Sequence, residues 1–416
     1  MLGSYFPKPS ANGICVRQIA KELKKCGVDV TILATNPGDL NEAEVIEGIN
    51  VYRIEARWFT RITQWCDANR DAKYSNVIRR LAFLANRVRT ILSFPTWPLI
   101  SPLYTYRYYQ KALELHKMNC YDGILSVYTP IDALLAGALM KRRCNDVKLM
   151  LYFLDCFSGG PAPRHLTKEW MERRGYMWEK QLFDSADIVF IMNSHKTHYS
   201  REKYEGFRDK IRVVDIPLMR ELKPISNREN ICFSRHAVNV VYTGSMLRYV
   251  RDPRYMLETF KSIDKPNQYH FHVYGGGDCH DIIARYIEEG TGIKIINHGW
   301  VDPETAISAM LEADVLINIG SSVDTMVPSK IFEYMATGKP IISFFRHDTE
   351  PSIHYLGHYP LALLIKEDWD NLHESARLVA NFIDEYKGKA VKYDEIANTF
   401  QDNTPEMLAR FVLESI

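Results

Sequence analysis

Short, almost wholly apolar runs alternate along the chain with longer stretches whose apolar residues recur every three or four positions. Parallel strands covered on both faces give the first pattern, and amphipathic helices packed on them give the second. Strands are therefore expected over 1–5, 28–34, 49–54, 122–127, 147–154, 187–191 and 211–214. The pattern restarts with strands at 238–243, 269–274, 293–296, 314–319, 340–344 and 361–365. Helices are expected between them, among them 14–25, 130–140, 167–183, 303–311, 328–337 and 369–386. This alternation is that of a doubly wound α/β fold. It breaks twice, over 57–107 and at the polar and aperiodic stretch 221–235. The expected architecture is two Rossmann-like domains, 1–222 and 236–400, with a last helix in 401–416 packing back on the first. A chain of 416 residues exceeds what one core usually serves, in agreement with two domains. Ligands would meet in a cleft between opposed strand ends.

The densest chemistry lies at 327–342. Pro328 suits a first helical position and Gly338 with Pro340 forms a stop, so a helix is expected over 328–337. Lys330, Glu333 and Thr337 share one stripe of it, opposite Ile331, Phe332, Met335 and Ala336. The free N–H groups near Pro328 and Ser329 favour an anion such as phosphate. Two strands run straight into glycine turns, Gly244-Ser245 and Gly275-Gly276-Gly277. Arg248 and Arg251 follow the first, and arginine pairs bidentately with phosphate oxygens. A surface ion pair is the alternative for either arginine. Gly13 opens the first helix, where it admits a ligand or merely permits the turn. Asp155 closes the apolar run 147–154, at a strand end where such sheets hold ligands. A loop-fixing carboxylate is the plainer reading.

Composition narrows the partners. The formal charge is +1 with 25% charged residues, which argues against a nucleic-acid binder. Basic character is local: 57–107 carries nine Lys and Arg against Asp67 and Asp71, interleaved with Trp58, Phe59, Trp65, Phe83, Phe94 and Trp97. Such an excursion suits an anionic membrane surface or a lipid phosphate, or is an ordinary helical insertion. Eight cysteines without CxxC spacing read as reduced, buried thiols in the cytoplasm. No apolar run approaches the roughly 20 residues of a membrane span, and no signal peptide is evident.

Taken in order, the glycine loop near residue 13, Tyr242-Thr243-Gly244, Tyr274-Gly275-Gly276-Gly277, His298-Gly299-Trp300-Val301 and Pro328-Ser329-Lys330 through Ile342 resemble the GT-B glycosyltransferases, specifically retaining family 4 (GT4). The resemblance is firmest over 238–345. It implies a nucleotide-sugar donor on the second domain and a lipid-linked or polysaccharide acceptor on the first. Glu333 matches the glutamate that holds the donor's ribose, and Ser329 with Lys330 matches the diphosphate cradle. Arg251 matches the phosphate-binding lysine, whereas Ser245 stands where the family has an arginine. Thr325 stands where family members carry an earlier glutamate near the transferred sugar, with Asp324 beside it. Residues 154–158 resemble an aspartate-bearing segment of bacterial enzymes that build surface polysaccharides, which adds to Asp155. Departure of the nucleotide diphosphate would be eased by Arg248, Arg251 and Lys330, with no metal and no further cofactor. Two other readings are a non-catalytic GT-B module that binds a glycan or partner and a nucleotide-sugar epimerase using His165 or His298. The implied setting is cytoplasmic polysaccharide biosynthesis at the inner face of the cell membrane, with peripheral contact to anionic lipid.

Overall fold

The computed structural model describes residues 1–7, 10–36, 38, 40–69, 72–99, 101–160, 166–223, 231, 233–263, 268–290, 293–323 and 326–416. Asp71, His165, Asp324 and Thr325 thus lie outside the described residues. The chain divides into two compact units, 1–217 with 405–416, and 218–404.

In the first unit, β1 (Thr31–Asn36), β2 (Ala43–Ile46) and β3 (Ile49–Glu55) form one sheet in the order β1-β3-β2. A second runs β4 (Gly123–Tyr128), β5 (Lys148–Phe153), β6 (Ile188–Met192) and β7 (Ile211–Val214), all parallel. The expected first strand appears as a seam between them. Met1 hydrogen-bonds Leu125 and Val127 of β4, while Leu2 and Gly3 bond Leu33 and Thr35 of β1. The second strand begins later than its apolar run because the preceding helix, Ala11–Lys25, closes on it. Gly27 sits at φ +82°, and the Val28 N–H donates to the Leu23 carbonyl at 3.0 Å.

Both faces of β5 are covered. Leu149, Leu151 and Phe153 pack with Leu134, Leu182, Phe183 and Val189, and Tyr152 on the other face is equally buried. The excursion at 57–118 forms helices Trp58–Ala68, Ser75–Leu92 and Pro102–Asn119. The last of these is core, with Tyr104, Tyr108, Ala112 and Leu115 packed against Leu33 and Ile54.

The second unit holds one sheet in which β8 (Val238–Thr243), β9 (Tyr269–Tyr274), β10 (Lys294–Gly299), β11 (Val315–Ile319), β12 (Ile341–Phe345) and β13 (Ala362–Lys366) lie in the order β10-β9-β8-β11-β12-β13, each pair parallel. Strand order reverses between β8 and β11. At such a switch the connecting loops diverge to opposite faces and leave a crevice beyond the strand ends.

Candidate functional site

The crevice is built by loops that bind one another. After β8, the Gly244 N–H donates to the Tyr274 carbonyl at 2.9 Å and that of Met246 to the Gly276 carbonyl at 2.9 Å, so the two glycine turns run side by side. A Cβ on Gly275 would stand 1.8 Å from the Gly244 carbonyl oxygen, and one on Gly277 1.8 Å from that of Met246. These two glycines therefore serve the packing of one turn against the other. Gly276 has open space where its Cβ would be. Beyond β11, Ser322 donates through its N–H to the Val250 carbonyl (3.0 Å) and through Oγ to that of Tyr249 (2.6 Å). The buried Glu350 carboxylate accepts from the Ser321 N–H and the Ser352 N–H, each at 3.0 Å, and fixes the same loop from below.

The helix of the 327–342 stretch spans Lys330–Ala336, shorter than expected. The Pro328 carbonyl accepts from Ile331 three residues on, so Pro328 and Ser329 form a turn ahead of the first α-helical bond. Ser329 makes no side-chain cap. Lys330 Nζ meets Glu333 Oε2 at 2.5 Å, which joins the two expected donor-binding side chains in one ion pair. Tyr334, next to Glu333, carries a contact the sequence did not flag. Its hydroxyl accepts from the Thr243 N–H at 2.8 Å and donates to the Thr243 carbonyl at 3.0 Å, tying the helix to the residue before Gly244. Tyr334 lies one turn after Lys330, on the polar side of the helix by spacing, yet it is buried, so the sequence carried no signal of this contact.

The two arginines separate. Arg248 reaches both Asp281 carboxylate oxygens at 2.7 Å, and its N–H donates to Asp278. It is therefore engaged with the helix His280–Glu289 through an exposed ion pair. Arg251 is half-buried, and its Nε has no hydrogen-bond partner among the described residues. Burial pushes the neighbouring Tyr242 hydroxyl up to about 12, and the Arg251 guanidinium acts against that shift. An underused guanidinium beside a glycine turn is chemically suited to phosphate. Ser245 is exposed on the same turn.

The first unit holds Gly13 and Asp155. Gly13 lies inside the helix Ala11–Lys25, not ahead of it, and its N–H donates to the capping Ser10 Oγ at 3.2 Å. That N–H is committed to the cap. Asp155 follows β5 and is half-buried, and burial pushes its carboxyl above the usual range. The loop after it is anchored by a network that sequence reasoning missed. The fully buried Glu179 accepts from the Ser158 N–H (3.0 Å), Tyr199 hydroxyl (2.8 Å) and Tyr204 hydroxyl (2.5 Å). Ser158 Oγ in turn meets His198 Nε2 at 2.7 Å. Glu179 shares a helix face with Met171, Gly175 and Leu182, and a carboxylate among apolar positions was the legible sign. Among the described residues, no three His, Cys, Asp or Glu come together as a metal site.

Residues 237–372 match the family model for glycosyl transferases group 1. The matched residues lie within the second unit. The fold of the whole chain is GT-B, as in several solved structures. One is the lipopolysaccharide outer core galactosyltransferase WaaB in its apo form, at 12% identity and TM-score 0.56, covering 100% of this chain and 97% of that one. Another is Anabaena HepE in complex with UDP-glucose, at 13% identity and TM-score 0.60, covering 100% and 99%. A third is the UDP-forming alpha,alpha-trehalose-phosphate synthase of Burkholderia xenovorans in complex with glucose-6-phosphate, at 10% identity and TM-score 0.62, covering 98% and 95%. No curated protein matches the chain in sequence. Within the matched residues lie the turns at Gly244 and Gly276, Arg251, and the Lys330–Glu333 pair.

Proposed function

We propose that the protein is a retaining glycosyltransferase that moves a sugar from a nucleotide-sugar donor to a lipid-linked or polysaccharide acceptor in the cytoplasm. The observation that carries this reading is the crevice at the β8/β11 switch, where Arg251 has an unpartnered Nε and Glu333 is held by Lys330. The family match supports sugar transfer, and HepE in complex with UDP-glucose supports a nucleotide-sugar donor. In this scheme Glu333 accepts the ribose hydroxyls, while Arg251 and Lys330 neutralise the diphosphate. The bond from the sugar's anomeric carbon to phosphate breaks with its electron pair going to the phosphate oxygen. The acceptor hydroxyl bonds that carbon from the same face, and its proton passes to the departing phosphate. In the same scheme Asp155 is a carboxylate that binds the acceptor.

Incubation with a panel of nucleotide sugars is expected to give transfer or donor hydrolysis with one of them, and the matching nucleoside diphosphate is expected to raise Tm. Arg251→Ala and Glu333→Ala should each lower kcat/KM by about 10- to 100-fold, the worth of a charge-assisted hydrogen bond, with the fold retained. No response to any donor or diphosphate would sink the proposal. Saturable binding without turnover would point instead to a non-catalytic glycan-binding module, in keeping with Ser245 and Thr325.

A further inference from the structure

Helix Ser75–Leu92 is turned the wrong way round for an ordinary surface helix. It buries only Ser75 and Ala82, whereas its long apolar residues face outward. Val77, Leu81, Leu84, Val88 and Ile91 are 55%, 60%, 59%, 49% and 72% exposed. Their spacing of four, three, four and three residues places them in an arc about 80° wide, so they form one continuous stripe. Isolated exposed apolar residues need no explanation, but a stripe of this length marks an interaction surface.

The arginines of the helix divide by where they lie. Arg79 is paired with Asp67 at 2.6 Å, and Arg89 bonds Asn86 and sits over the Trp58 ring, both within the protein. Arg80 and Arg87 are exposed at the border of the stripe and have no carboxylate partner among the described residues. By helical spacing they occupy the same border, seven residues apart.

We propose that this helix lies in the headgroup layer of an anionic lipid bilayer, with the stripe inserted and Arg80 and Arg87 on lipid phosphates. Charge complementarity selects this partner over a second copy of the chain. An antiparallel symmetric pair of stripes would bring like-charged arginines to one seam and a parallel pair would leave each border without counter-charge, whereas an anionic surface supplies counter-charge beside each. No helix of the described residues is long and apolar enough to cross a membrane, so contact would be peripheral. The inference does not depend on donor use.

The test is co-flotation of the full chain with phosphatidylglycerol-containing vesicles and with pure phosphatidylcholine vesicles, at low and high salt. The wild type should float with the anionic vesicles, less so in high salt. Arg80→Gln with Arg87→Gln should weaken partitioning about 25-fold, about fivefold per charge near an anionic surface. Arg80→Lys with Arg87→Lys should bind within about twofold of wild type, since either cation pairs with phosphate. Leu81→Gln, Leu84→Gln and Ile91→Gln together should abolish flotation while leaving the Tm and donor hydrolysis in solution unchanged. Equal flotation of wild type and the stripe variant, or none for wild type, would overturn the proposal. So would a wild-type dimer that the stripe variant converts to monomer, which would make the stripe a self-interface.

Discussion

Three glycines with the same sequence credentials have different work in the folded chain. Gly275 lets one turn press on the next, Gly276 faces open space, and the Gly13 N–H belongs to a helix cap. The difference gives a clean test. Gly275→Ala places a Cβ 1.8 Å from a backbone oxygen that cannot yield without moving β8. It should cost several kcal/mol, about 3 or more, and lower the melting temperature of the second unit. Gly276→Ala should leave the melt within about 1 °C, since a surface change away from such contacts stays within about 0.5 kcal/mol, yet weaken nucleoside diphosphate binding in calorimetry. Equal effects of the two on stability would contradict the packing described. The sequence showed that three glycines follow a strand, but which of them touches a neighbouring turn depends on residues thirty positions away.

At the scale of elements, the Lys330–Ala336 helix is positioned by Tyr334 and not by its own propensity, since seven residues make a marginal helix in isolation. Replacing Tyr334 by Phe removes the hydroxyl shared by the Thr243 N–H and carbonyl and leaves both buried groups unmet. A loss of about 1–3 kcal/mol is expected in urea unfolding, with KM for the donor rising more than kcat falls. An unchanged Cm would show that the hydroxyl does not lock the helix. The period of the apolar pattern made this helix and its strand legible in advance, as it did the parallel runs around β5. Tyr334 carried no mark of its partner, and neither did Glu179. A side chain's burial can be read from periodicity, but the group it meets comes from another part of the chain.

For the molecule as a whole, buried histidines link stability to acidity in both units. Burial holds His198 in the first unit and His272 in the second down to about 4, from an ordinary value near 6.5. The folded chain therefore binds fewer protons than the unfolded one between these values. The stabilisation is complete above about 6.5, falls as pH drops, and is exhausted near 4. The raised carboxyls Asp155 and Glu350 act with the opposite sign, which is why a difference measurement is needed. His198→Gln should flatten the fall in Tm of the first unit between pH 7 and pH 5, by on the order of 1 kcal/mol at pH 5. A pH slope equal to wild type would show that His198 does not titrate in this window.

Hydrophobic periodicity by itself determined the α/β class, the two repeats of the strand–helix pattern and the order of elements, because burial on one face or both is written directly into residue spacing. Motif order added the resemblance that the family match over 237–372 then met. Only the tertiary structure decided that Arg248 is spent on Asp281 while the Arg251 Nε is left without a partner, and that the Lys330–Glu333 pair stands behind a tyrosine lock. It also showed that the Ser75–Leu92 helix turns a continuous apolar stripe outward. These are matters of which group meets which across long chain separations, and a charge or an apolar face has the same spacing whether its partner is protein, water, lipid or ligand.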